Sequence, residues 1–150
     1  MAENVAELLA LADRCETAAR PDRELDAIVA ATVRLFPPNV GYIWQGAMRP
    51  NSPDIGAVEC CTRSGTGGPW YLSRAYTASL DAAMTLVPEG HWPEGSLGTH
   101  KDQRSSIEIH APDAFDPIGT GWAATPALAL TAAALRARAA TLTNDGGDNA

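Results

Sequence analysis

Residues 76–90, YTASLDAAMTLVPEG, constrain this chain more than any other stretch, because they carry both a helix start and a helix stop. Thr77 and Ser79 each place a hydroxyl where it can cap a first helical turn by accepting a free backbone N–H. Asp81 then falls in that turn, where a negative charge meets the positive end of the helix dipole. Leu80, Met84 and Val87 recur at spacings of four and three and share one face. Ala82 and Ala83 leave room for a neighbouring element. Pro88 closes the helix, since it lacks an N–H and disfavours the helical conformation of the residue before it, and Glu89-Gly90 makes the turn. A longer helix over 125–142 is the expected partner. Thr125 is its N-cap, Pro126 occupies the first helical position, and Leu128, Ala132, Leu135, Ala139 and Leu142 form its buried seam. Arg136 and Arg138 are expected to reach solvent.

Two more helices precede these. Residues 4–19 open with Asn4 and Glu7 in capping-box spacing and carry an apolar stripe of Val5, Leu8, Leu9, Ala12 and Cys15. Pro21 breaks the chain, and Asp22 caps a second helix carrying Leu25, Ile28, Val29, Thr32 and Phe36. Glu24 and Asp26 could be a paired-carboxylate site. Residues two apart do not share a helix face, so a solvated, dipole-favoured first turn with a salt bridge to arginine is the better reading. Pro37-Pro38 ends this helix.

The middle reads as strands and loops. Residues 40–44 are β-branched and aromatic and read as a strand, 49–54 as a loop, and 57–62 as a second strand that a hairpin would pair with the first. Cys60 and Cys61 would point to opposite faces and could not chelate one ion together. Residues 64–69 form a glycine-rich turn. It has no lysine and opens no helix, which removes the context a phosphate loop needs. A third short strand covers 70–72. Residues 91–93 begin a further strand, 95–103 form a turn, and 105–110 alternate as a half-buried strand with Ile107 and Ile109 on one side. Residues 111–120 read as a loop, and 121–124 lead into the last helix. The residues from Thr143 onward, TNDGGDNA, are polar and glycine-rich and read as a disordered tail on a single domain spanning 1–142. The pattern is α/β or α+β: four helices around a sheet of four or five short strands.

The run YTASLDAAMTLVPEG, followed downstream by ATPALALTAAALRARAA, resembles the phage αβα-sandwich (ABA sandwich) domain, a family of small phage and prophage proteins. A third match lies at PDRELDA, residues 21–27, and the three occur in the family's order. The resemblance implies a three-layer α–β–α sandwich and a bacteriophage origin. It implies no established activity, and it supplies no catalytic residues. Residues 45–70 and 91–121 depart from the family pattern.

Composition narrows the function. At 45% hydrophobic and 19% charged the chain is globular, and 150 residues suffice for one core. A net charge of −7 opposes tracking of nucleic-acid phosphates. Three cysteines without a CxxC, and no basic-then-apolar leader, fit a reduced compartment, the cytoplasm of a host cell. His91, His100 and His110 are dispersed, lack a helical i,i+4 pair and read as surface residues rather than metal ligands. No cofactor, metal or membrane is called for. The leading expectation is a non-enzymatic accessory protein that binds a host or phage protein, such as a defence component. The alternative is a binder of a nucleotide-like small molecule through Trp70, Arg74 and Trp92, with Trp44, Trp122 and Arg104 as further candidates. An enzyme is the weakest reading. Ser79, Asp81 and a histidine contain the letters of a triad, but capping accounts for Ser79 without nucleophile-elbow glycines, and nothing fixes Asp81 against Glu89. A homo-oligomer through an uncovered sheet edge is compatible with the pattern.

Overall fold

In chain order, the computed structural model places α1 (Val5–Thr17), α2 (Arg23–Val33), β1 (Ala47–Pro50), β2 (Ala57–Cys61), β3 (Gly67–Leu72), α3 (Leu80–Met84), β4 (Trp92–Ser96), β5 (Ser105–His110), β6 (Gly119–Ala123) and α4 (Pro126–Gly147). It describes residues 4–33, 47–50, 56–61, 67–98 and 103–147. The described strands form two antiparallel three-stranded sheets, ordered β1-β2-β3 and β4-β5-β6. Among the described residues, four helices with antiparallel sheets make a mixed fold of the α+β kind.

Helix α4 sits at the centre. Thr125 Oγ1 accepts from the Leu128 N–H at 3.3 Å, and Pro126 begins the helix, where its missing N–H costs nothing. Residues 127–135 are buried without a break, wider than the single seam the spacing predicts. A helix buried on more than one side needs layers on more than one side. Here β5 and β6 lie against it, as do α1 and α3. The sheet side is very close. A Cβ on Gly121 would stand 2.1 Å from the Ala129 carbonyl oxygen, and one on Gly119 would stand 2.3 Å from that of Ala133. Alanines on glycines bring backbone to backbone, so GTGWA forms a strand despite its weak strand propensity. The sequence reading placed 111–120 in a loop and missed this strand.

Helix α1 is capped by Asn4, whose Oδ1 accepts from Ala6 and Glu7 N–H groups at 2.9 and 3.4 Å. Its buried face is Leu8, Leu11, Ala12 and Cys15. Leu9, expected on that stripe, is exposed, because it lies about 100° around the helix from Leu8. Asp22 Oδ1 accepts from the Glu24 and Leu25 N–H groups at 2.9 and 3.3 Å and starts α2, which packs on α1, β1 and β2.

Several other expectations shift. The strand expected at 40–44 lies outside the described residues. Arg49 and Pro50, expected in a loop, belong to β1, which pairs with β2. Residues 67–69, expected in a turn, belong to β3, and Gly95 and Ser96 extend β4. The organising helix shrinks to Leu80–Met84 and then tightens. Thr85, Leu86 and Val87 donate to the carbonyls three residues back, at 3.1, 3.0 and 3.2 Å. A turn of this kind brings residues three apart into line, which sets Leu86 with Ala83 in the core and leaves Met84 exposed; Leu80, in the preceding α-helical turn, is exposed too. At the other end, α4 continues through Gly147, past the expected tail boundary. The Thr141 and Thr143 hydroxyls donate to the carbonyls of Ala137 and Ala139 at 2.9 and 3.0 Å.

Candidate functional site

Three polar clusters stand out, and each draws on residues far apart in sequence. The first is Asp26. The expected salt bridge to an arginine is present, to Arg23, but the expected solvation is not: Asp26 is completely buried. Its Oδ1 accepts from the Thr77 N–H and the Thr77 hydroxyl, both at 2.8 Å, and its Oδ2 accepts from Arg23 Nη1 at 2.7 Å. Thr77 Oγ1 in turn accepts from the Asp22 N–H at 2.9 Å. Arg23 Nη2 donates to the Ser73 carbonyl at 2.8 Å. Thr77 is therefore a buried bridge to α2. Ser79 is the cap of α3, its Oγ accepting from the Ala82 N–H at 3.2 Å, and Asp81 lies exposed in the first turn. The Thr131 hydroxyl of α4 donates to the Tyr76 carbonyl at 3.0 Å. Burial pushes the Tyr76 hydroxyl up to about 12. This hub is a structural fastening: its carboxylate is saturated with donors.

The second cluster ties α1 and α4 to the outer edge of β6. Arg136, expected to reach solvent, donates from Nη1 to the Thr120 carbonyl at 2.8 Å, and from Nη2 to Asp13 at 2.8 Å and Glu16 at 2.7 Å. Glu16 Oε2 accepts from the Trp122 N–H at 2.8 Å. The hydrogen bond from Arg136 is the main reason the Glu16 carboxyl is held below its ordinary value. Arg104 Nη2 donates to the carbonyls of Glu16 and Trp122 at 2.6 and 2.8 Å. Side chains thus satisfy backbone groups that an edge strand would otherwise present for pairing. Arg138, also expected in solvent, donates to the Leu86 carbonyl at 3.2 Å.

The third cluster is the outer face of the β4-β5-β6 sheet. Ser105, Ile107 and Ile109, with Gly119, Gly121 and Ala123, are buried toward α4, while Ser106, Glu108, Thr120 and Trp122 alternate outward. The register sets Ser96, Ser106 and Trp122 in one row, Glu94, Glu108 and Thr120 in the next, and Trp92 beside His110 in a third. Trp92 is 47% exposed and Trp122 is 59% exposed. Trp92 stacks on His110, with ring centroids 5.9 Å apart and planes 20° from parallel. The Arg104 guanidinium lies 4.5 Å from the Trp122 ring centroid, a cation–π contact. His110 was expected at the surface. Its side chain is mostly covered, with Nε2 3.4 Å from both the Glu94 and the Glu108 carboxylates.

No family model, curated protein or solved structure matches this chain.

The small-molecule candidates are distributed across the fold. Trp70 belongs to β3 and Trp92 to β4, on different sheets, and Arg74 lies in the segment between β3 and α3. Open grooves occur among the described residues. One, of about 360 Å³, runs between α1, α4 and residues 117–120; another, of about 580 Å³, lies over residues 18–24. Neither is lined by Arg74 or Trp92. His91 Nδ1 lies 2.9 Å from the Glu89 carbonyl oxygen. The contacts of His91 and His110 thus lie around β4 and β5 rather than at Ser79, and His100 is outside the described residues. Cys60 and Cys61 pair in register with Met48 and Ala47. Among the described residues no group of three or more His, Cys, Asp or Glu is placed to hold a metal ion. No helix among them is long and apolar enough to cross a membrane.

The sequence did carry a signal for the third cluster. The alternation of 105–110 fixes which residues of β5 face out. What it lacked was β6, which puts Trp122 beside that face.

Proposed function

We propose that this protein is a non-enzymatic interaction module that binds another protein through the outer face of β4-β5-β6. The observation that carries the reading is the pair of half-exposed tryptophans on that face. Neither ring fills the core, yet each is held in place, one by His110 and the other by Arg104. Fixed aromatic side chains lose little conformational freedom on docking, which is why such residues anchor protein interfaces. The candidate acid–base groups are engaged structurally, with Ser79 capping and Asp26 saturated.

We further read the chain as a cytoplasmic phage or prophage accessory protein of the αβα-sandwich kind. The three segments that carry that resemblance converge in space: Asp22 and Asp26 meet Thr77, and Tyr76 meets Thr131. This convergence supports treating them as one motif. Helices α1 and α4 supply a layer on one side of β4-β5-β6. A helical layer on the outer face would complete a three-layer arrangement, and in this reading a partner contributes it.

The test is a tagged full-length chain purified from phage-infected or prophage-induced cells, compared with a Trp92→Ala/Trp122→Ala variant. A protein recovered in stoichiometric amount with the parent chain and lost with the variant is the expected result. Equal recovery with both chains overturns the assignment of the face.

A further inference from the structure

The chemistry of the outer sheet face specifies what covers it. We propose that it docks a basic, arginine-bearing segment of a partner protein, an inference that rests on the interaction reading above and names its partner's character. Glu94 and Glu108 stand directly opposite each other in the β4–β5 register. Like charges so placed destabilise a sheet. His110 Nε2 is 3.4 Å from each carboxylate and makes no hydrogen bond. Arg104 lies at the other end of the face, with its Nη2 committed to the carbonyls of Glu16 and Trp122. Among the described residues, the carboxylate pair is thus exposed and meets only the His110 imidazole, which leaves it suited to a further cation.

The tryptophans narrow the cation. Trp92 lies one row from the glutamates and Trp122 one row away on the other side, across the sheet. Each ring has one contact satisfied and about half its surface open. A guanidinium is planar, stacks on an aromatic face and pairs with carboxylates through two parallel N–H donors, so a single residue type answers both features. An ammonium supplies the charge without the planar fork. The net charge of −7 draws a basic partner toward this surface and repels acidic proteins and nucleic-acid phosphates.

The test titrates the isotope-labelled full chain with a short alternating arginine–serine peptide, and separately with the same peptide bearing glutamate for arginine. The Trp92 and Trp122 indole N–H resonances are expected to shift saturably with the arginine peptide alone, and added salt should weaken the effect. Both glutamates are exposed, so Glu94→Gln/Glu108→Gln should fold normally and bind about tenfold more weakly. Unmoved indole resonances, or equal affinity in the variant, overturn the proposal. A benzophenone amino acid in place of Ser106, at the middle of the face, separates this outcome from failure of the parent reading. A protein cross-linked there in cells through an acidic or neutral segment overturns the basic partner and leaves the interaction reading standing. No cross-link, together with unmoved resonances, overturns both.

Discussion

Replacing Asp26 with Asn keeps the shape of the side chain and removes its charge. In the parent, Oδ1 takes both Thr77 donors and Oδ2 takes Arg23, all at 2.7 to 2.8 Å. An amide has one oxygen for these two sides. With that oxygen toward Thr77, its NH₂ faces the Arg23 guanidinium, donor against donor. The lost charge-assisted bond is worth about 1.5–3 kcal/mol. Orphaning one member of a fully buried pair costs roughly 3–5 kcal/mol. Arg23 keeps its bond to the Ser73 carbonyl and 32% side-chain exposure, which recover part of that cost, and the expected loss is about 3 kcal/mol. For a domain of this length the loss corresponds to roughly 6–12 °C in Tm.

The assay is urea unfolding followed by circular dichroism, with the midpoint falling and the slope unchanged. A companion Thr77→Val variant removes the hydroxyl but keeps the backbone donor, and should lose about 1–2 kcal/mol. In a double-mutant cycle, Asp26→Asn and Arg23→Met should couple by more than about 0.5 kcal/mol. A loss below about 1 kcal/mol for Asp26→Asn, or additivity in the cycle, refutes the claim that this hub fastens α2 to the segment before α3.

Gly121→Ala should be more damaging than a normal surface change. The new methyl would meet backbone of α4 rather than a movable side chain, so a loss of about 1–3 kcal/mol in chemical denaturation is expected. Glu16→Gln should cost about 1 kcal/mol at neutral pH. Because the Glu16 carboxyl is held below its ordinary value, its contribution is present above the unfolded carboxylate pKa and is lost as pH falls through the lower folded one. The stability gap between parent and variant should therefore close in acid, and a gap independent of pH would contradict the Arg136 assignment. Cys15 is fully buried, and burial pushes its thiol up to about 12. Peptide mapping after iodoacetamide treatment should find it unmodified in the folded chain and labelled once denaturant is added. Labelling at equal rates in both states would show α1 detaching readily.

What could be read in the sequence was local. Asn4, Asp22, Ser79, Thr125 and Pro126 start helices through bonds or dihedral preferences that span three or four residues. The alternation of Ser105–His110 is a property of one strand alone. The failures have long-range causes. Asp26 looks like an ordinary first-turn acid until Thr77, 51 residues away, closes over it. Arg136 looks like a solvent-facing helix residue until Asp13 and Glu16 arrive from the other end of the chain. β6 is the sharpest case. Glycine argues against a strand on propensity, and the reason for two of them is the alanine face of α4, which no window of a single element contains. Leu86 replaced Met84 in the core because three residues finished α3 as a 3₁₀ turn, changing the angular step that the periodicity assumed.

These causes divide the molecule into a set of buried contacts and an exposed face. Stability resides in the inner face of β4-β5-β6, in α4 and in the Asp26 hub, where side chains are buried and both oxygens of the Asp26 carboxylate accept hydrogen bonds. The outer face adds little to it: Glu94 and Glu108 oppose each other, and the tryptophans rest on the sheet rather than in it. Substitutions at Glu94, Glu108 or Trp92 should therefore move binding with little effect on the unfolding midpoint. Substitutions at Asp26 or Gly121 should move the midpoint and lower binding only in proportion to the fraction unfolded. A correlation between the two quantities across such a set would mean the face is read through the fold rather than directly. Independence is what a docking surface built on a separate core requires.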